Sequence, residues 1–184
     1  MKNKILPLLI LLPITLFGGY GYYGIIDVYD TDTGLYYKAI EGKPKESGFS
    51  IIKSAGSRFI SNINIYNPKT QKSVTIFKDN SHSITGFLFE MKYEKNSIDY
   101  FCIGEHIKNN KNIEKRKLKD KLLIATYDKD KKEIILWSCK KNGENLQKVA
   151  VVKKGYQWHI DVKNFKIVLV YAKEGKFKIE SFDW

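Results

Sequence analysis

Beyond Gly24 the apolar residues fall in short alternating runs divided by clusters of Asn, Asp, Gly and Lys, and no long stretch keeps a helical period. Alternation at period two between turn clusters predicts antiparallel β structure. The expected strands are Ile25–Tyr29, Gly34–Ile40, Phe49–Ser54, Phe59–Tyr66, Ser73–Phe77, Ile84–Tyr93 and Ser97–Ile103, then Leu122–Tyr127, Glu133–Cys139, Leu146–Val152, Gln157–Val162, Phe165–Tyr171 and Lys176–Phe182. So many strands in one domain predict an all-β fold, propeller-like or a sandwich. The closing "SFDW" is aromatic enough to predict a docked C-terminus.

The first 26 residues read differently. Lys2 and Lys4 precede 22 uncharged residues, Ile5 to Ile26, whose first 13 are almost wholly apolar. This predicts one N-terminal hydrophobic helix, either a signal peptide or a transmembrane signal anchor. Tyr20, Tyr22 and Tyr23 suit a membrane interface and favour retention, with the C-terminal domain outside the cytoplasm because Lys2 and Lys4 stay inside. Gly19 and Gly21 offer the small-residue pair for cleavage near Gly21, which would give a secreted or periplasmic protein. The organisation is therefore 1–26 as the membrane-directing segment and 27–184 as a single β-rich extracytoplasmic domain.

Within that domain a hairpin recurs five times. A tyrosine closes one strand, a polar turn follows, and an aromatic-rich strand returns: "IIDVYDTDTGLYY", "INIYNPKTQKSVTIF", "FEMKYEKNSIDYF", "LIATYDKDKKEIILW" and "VLVYAKEGKFKIESF". The tyrosines are Tyr29, Tyr66, Tyr93, Tyr127 and Tyr171. "INIYNPKTQKSVTIF" resembles the strand-turn-strand of bacterial β-propeller blades, with Gln71 where glycine is usual. "LLIATYDKDKKEIILWSCKKNGENLQKVAVV" is similar to a three-strand blade meander that turns again at Asn142-Gly143. The resemblance covers about a quarter of the chain. It implies a binding scaffold and carries over no functional residue.

The segment 104–121, "GEHIKNNKNIEKRKLKDK", interrupts the β pattern with seven basic and three acidic residues. It is expected to be a long exposed loop or short surface helix, with Lys108, Lys111, Lys115, Arg116 and Lys117 as a candidate basic patch. The whole chain carries a formal net charge of +12, which suits an anionic envelope polymer or lipid surface. Only Arg58 and Arg116 are arginine, however, and specific nucleic-acid readout leans on arginine's planar fork. No specific nucleic-acid partner is expected.

Candidate chemistry is sparse. Cys102 and Cys139 both end apparent strands and form a candidate disulfide in an oxidising compartment. Tyr156 and Trp158 in "GYQWHIDV" are candidate binding-face aromatics. Asp27, Asp30 and Asp32 echo a calcium loop but lack its bidentate glutamate. His82, His106 and His159 are dispersed, and "KSAGSRF" lacks a nucleophile elbow. No catalytic residue, metal or cofactor is assigned. The expected function is a membrane-associated or exported binding module, with a protein partner or an anionic envelope polymer. The alternatives are an envelope immunity or inhibitor protein, and an envelope enzyme acting on an acidic polysaccharide.

Overall fold

The computed structural model describes residues 26–42, 59–103 and 106–184. The expected N-terminal helix and the expected strand Phe49–Ser54 lie outside them. The described residues contain thirteen strands and no helix, and so none that is long and apolar enough to cross a membrane.

The strands are β1 (Asp27–Asp30), β2 (Leu35–Gly42), β3 (Phe59–Asn67), β4 (Lys72–Thr75), β5 (Ile84–Glu94), β6 (Ser97–Ile103) and β7 (Ile107–Lys108). They continue with β8 (Leu122–Asp128), β9 (Glu133–Cys139), β10 (Gln147–Val152), β11 (Gln157–Asp161), β12 (Lys166–Lys173) and β13 (Lys176–Asp183). All five tyrosine-ended hairpins form: β1–β2, β3–β4, β5–β6, β8–β9 and β12–β13 pair antiparallel. Their turns bring residues into left-handed backbone conformations, Gly34 and Gly175 without strain, but also Gln71 at φ 55°.

The hairpins are distributed over two sheets. One has nine strands, in the order β1-β2-β3-β5-β8-β9-β10 with β4 on β3 and β6 on β5; the other is β13-β12-β11-β7. In the large sheet β5 is buried on both faces. Phe87 and Phe89 point to one core cluster and Leu88 to the other, as side-chain alternation demands.

The large sheet rolls up. Asp30 on β1 and Lys141, just after β9, are separated by five strand spacings, about 24 Å if the sheet were flat. Their charged groups lie 2.9 Å apart. Register shifts at Ile40/Glu41, Ile84/Gly86 and Glu90/Lys92 mark where the strands bend. Inside the roll, Tyr37 of β2 packs against Phe87 and Phe89 of β5, with ring centroids 5.6 and 4.9 Å away.

The small sheet covers the outer face of β5, β8 and β9. Ile160, Ile167, Leu169 and Phe182 from it meet Leu88, Leu123, Ala125 and Leu136 in the second core cluster. The C-terminus is docked there: Trp184 is buried, and its N–H donates to the Phe165 carbonyl.

In its described part the basic segment is a largely exposed loop rather than a helix, and it is pinned to the domain at several points. Ile107 and Lys108 form β7, which pairs in parallel with β11, and Ser97 and Lys111 make an isolated bridge. Ile107, Ile113 and Leu118 insert into the second cluster. No helix or strand spans residues 112–121, so each pins the chain separately.

Candidate functional site

Strand β13 is the outer strand of the small sheet, and among the described residues β12 alone pairs with it. Its sequence alternates, so Phe182 turns inward to the second cluster while Phe177, Ile179 and Ser181 point the other way. Phe177 is 84% exposed and Ile179 70% exposed. Across the pairing with β12, Ala172 stands opposite Phe177, Val170 opposite Ile179 and Val168 opposite Ser181. The result is an apolar strip on the outer face, bordered by a row of backbone N–H and C=O groups that no other strand pairs among the described residues. Such an edge is a template for another strand. It is also electrically neutral, with Lys176 and Lys178 balanced by Glu180 and Asp183.

The end of β13 is held in place. Lys166 bonds Asp183 at 2.7 Å, and the Lys119 ammonium donates to the Trp184 carbonyl oxygen. Lys119 also lies over the rings of Phe165 and Trp184, 4.8 and 5.6 Å from their centroids. Burial pulls its pKa down to about 8.

The candidate residues fare differently. Lys108, Lys111, Lys115 and Lys117 are exposed, but Arg116 is withdrawn from the patch. Its guanidinium forks onto the Glu90 carboxylate at 2.6 and 2.8 Å. Lys115 instead shares a cleft of about 480 Å³ with Lys163, a residue outside the segment. Tyr156 and Trp158 are half-buried and lean on the second core cluster. Tyr156 stacks on Tyr171 with centroids 4.0 Å apart, and Trp158 stacks on His106 at the same distance.

The disulfide between Cys102 and Cys139 does not form. Cys102 is on β6 and Cys139 on β9, with β5 and β8 between them. Three strand spacings are about 14 Å, twice the Cα separation a disulfide tolerates. The side chains also face opposite core clusters. Burial pushes the Cys139 thiol up to about 12, so it holds its proton at neutral pH.

Sequence reading missed two buried ionic clusters. Lys141 and Asp30 are both fully buried and paired at 2.9 Å, and Lys141 also donates to the Glu90 carbonyl oxygen at 2.8 Å. Asp30 serves its own turn as well, accepting from the Thr33 hydroxyl and the Asp32 N–H. The Asp-rich run is thus a hairpin turn that seats a lysine. Glu90 is the second buried anion, bound by Arg116, the Lys119 N–H and the Tyr100 hydroxyl. Burial alone would raise its carboxyl; the Arg116 and Lys119 bonds overcome that and hold it below the usual range. No local pattern announces either cluster, since both join residues that only the tertiary fold brings together.

A cleft of about 370 Å³ opens beside the β8–β9 turn, walled by Phe59, His82 and Trp137 and rimmed by Asp128 and Asp130. Buried Asn62 shapes it by donating to the carbonyls of Phe77 and Asp79, which fixes the loop that carries His82. His82 stacks on Phe77 at 3.9 Å, and burial lowers its pKa despite Asp79. Trp137 donates to Thr126. Asp128 is committed to its turn, accepting from the N–H groups of Asp130 and Lys131. Among the described residues no cluster of metal-ligating side chains occurs. Comparison of the chain with known protein families, curated proteins and solved structures finds no match.

Proposed function

We propose that this chain is a membrane-associated or exported interaction module that binds a protein partner along β13. The observation that carries this reading is the open, apolar, neutral edge of the small sheet, with Phe177 and Ile179 largely exposed. Isolated exposed apolar residues are ordinary, but a strip of them beside unpaired backbone is the arrangement used in strand addition. Backbone hydrogen bonds would supply affinity, and the Phe177/Ile179 face would supply selectivity. The reading assigns the protein binding rather than catalysis. It places the domain outside the cytoplasm on the strength of Lys2, Lys4 and the uncharged run that follows. An immunity or inhibitor protein that occludes a toxin would use the same kind of surface.

The test is site-specific photo-cross-linking in the full chain in its native cellular setting. A photoreactive residue at Phe177 should give discrete protein adducts, and one at Lys129 on the β8–β9 turn should give none. Equal yields at both positions, or no adduct at Phe177, would defeat the reading.

A further inference from the structure

Strand β13 reads Lys176-Phe177-Lys178-Ile179-Glu180-Ser181-Phe182-Asp183, and this order is complementary to itself when reversed. We propose that the partner on β13 is a second copy of this chain, joined antiparallel about a two-fold axis through Ile179. The proposal rests on the interaction reading above and names its partner.

The register follows from elimination. Two edge strands that merge into one continuous sheet must match outward residues with outward residues, so only shifts by two positions are allowed. Centring the axis on Ile179 sets Ile179 against itself, Phe177 against Ser181, and Lys178 against Glu180. Each opposite-charge pair then occurs twice. Phe177 also reaches Ile179 of the second copy along the diagonal, where aromatic side chains still make contact. A shift in one direction puts Glu180 against Glu180, and a shift in the other puts Lys178 against Lys178. Like charges directly opposite one another are destabilising. The Glu180-centred register has no opposite-charge pair, and the Lys178-centred one sets Lys176 against Glu180 but still opposes Lys178 to Lys178, so the register through Ile179 joins opposite charges without a like-charge pair.

The chain is strongly basic as a whole, yet β13 has no net charge (two lysines against Glu180 and Asp183). The joint is placed where two positively charged molecules repel least. Beside the last residues of β13 a cleft of about 400 Å³, lined by Lys121 and Lys148 and by Asp183, whose carboxylate is taken up by Lys166, leaves room for the β12–β13 turn of the second copy. That turn carries Glu174, a carboxylate arriving at two lysines. An isolated strand joint lies at the small end of specific interfaces, so the dimer is weak and reversible.

The experiment uses the full chain and two independent readouts. In the first, Ile179→Cys should form an intermolecular disulfide under mild oxidation, because directly opposite Cα atoms in antiparallel strands are about 4.5–5.5 Å apart. Ser181→Cys should not, since the two copies of position 181 lie about 13 Å apart along the strand. A covalent dimer yield at least tenfold higher for the first variant is expected, with the wild-type chain as control for Cys102 and Cys139. In the second, Lys178→Glu and Glu180→Lys should each weaken self-association about tenfold in sedimentation, as two cross-strand pairs change sign. The double reversal K178E/E180K should restore it. Equal disulfide yields at 179 and 181, or a double reversal as weak as the single ones, would overturn the register and the proposal. A photo-adduct at Phe177 with a different protein, without the 179 disulfide, would overturn self-pairing and leave the interaction reading standing. Absence of both would remove both.

Discussion

Replacing Lys141 tests whether the rolled sheet is held by its buried ion pair. Lys141 and Asp30 are both inaccessible, and their charges are 2.9 Å apart. At an effective dielectric constant of about 20 that separation is worth roughly 6 kcal/mol of attraction. Removing each ion from water costs several kcal/mol, so the pair as a whole comes close to break-even. The break-even disappears when one partner goes. Lys141→Met keeps most of the side-chain volume but leaves the Asp30 carboxylate buried without its cation and the Glu90 carbonyl without its donor. The expected loss is about 3–5 kcal/mol, a large part of the roughly 5–15 kcal/mol by which a domain is stable.

Asp30→Asn keeps an acceptor oxygen for the Asp32 N–H, puts an NH2 donor where Thr33 now donates, so that the Thr33 hydroxyl must turn to accept, and removes the charge. Combined with Lys141→Met it should bring the total loss back to about 1–2 kcal/mol, because no buried charge remains uncompensated. Urea unfolding of the full chain, followed by tryptophan fluorescence, measures the four species of this cycle. A loss under about 1 kcal/mol for Lys141→Met would refute the reasoning. Single losses that simply add in the double variant would do so as well.

Two further perturbations follow from the same geometry. Glu90 has a folded-state pKa below its ordinary value of 4.5, so its stabilisation is present above that value and is lost as pH falls through the lower, folded-state pKa. The stability gap between wild type and Glu90→Gln should be wide at pH 7 and close below about pH 4.5; a gap unchanged down to pH 3 contradicts this linkage. Gln71 holds φ at 55° in the β3–β4 turn, a conformation that burdens any residue with a Cβ. Gln71→Gly should therefore stabilise by about 0.5–1 kcal/mol in thermal melts, and a lower melting temperature would show that Gln71 makes a compensating contact.

The local half of this fold was legible and the global half was not. Each tyrosine-ended hairpin announces itself through a turn cluster between alternating strands, and all five pair as the pattern requires. The joins between hairpins have no such signature. β3 meets β5 through the single pair Ile60 and Ile84, and β5 meets β8 across the whole of β6 and the basic segment. Those pairings are set by which apolar faces fit together, and only the assembled core expresses that. Lys140 and Lys141 illustrate the limit. They are neighbours in one turn, yet Lys140 pairs with Glu144 at the surface while Lys141 is sealed inside the roll. The edge role of β13 was hidden for the same reason. Its alternation is that of any strand, and only the sheet order leaves Phe177 and Ile179 uncovered.

Self-pairing at β13, and the attraction of an anionic polymer to the lysines of the basic segment that the sequence leads one to expect, respond to salt with opposite sign. Two copies of a +12 chain, with centres about 40 Å apart as expected for compact domains of this size, repel by roughly 4 kcal/mol at 0.01 M salt and well under 1 kcal/mol at about 0.15 M. The Lys178–Glu180 pairs weaken over the same range by at most about 1 kcal/mol each, as exposed ion pairs do. Relief of repulsion dominates, so self-association should tighten as salt rises to physiological strength. Binding of an anionic polymer should weaken over the same interval, and replacing Lys108, Lys111, Lys115 and Lys117 with glutamine should abolish most of that binding while leaving the dimer intact. Sedimentation and polymer binding, measured on the full chain across one salt series, give both slopes. A dimer that loosens with salt would mean that attraction between local opposite charges outweighs the repulsion of the two net charges, and would refute this estimate.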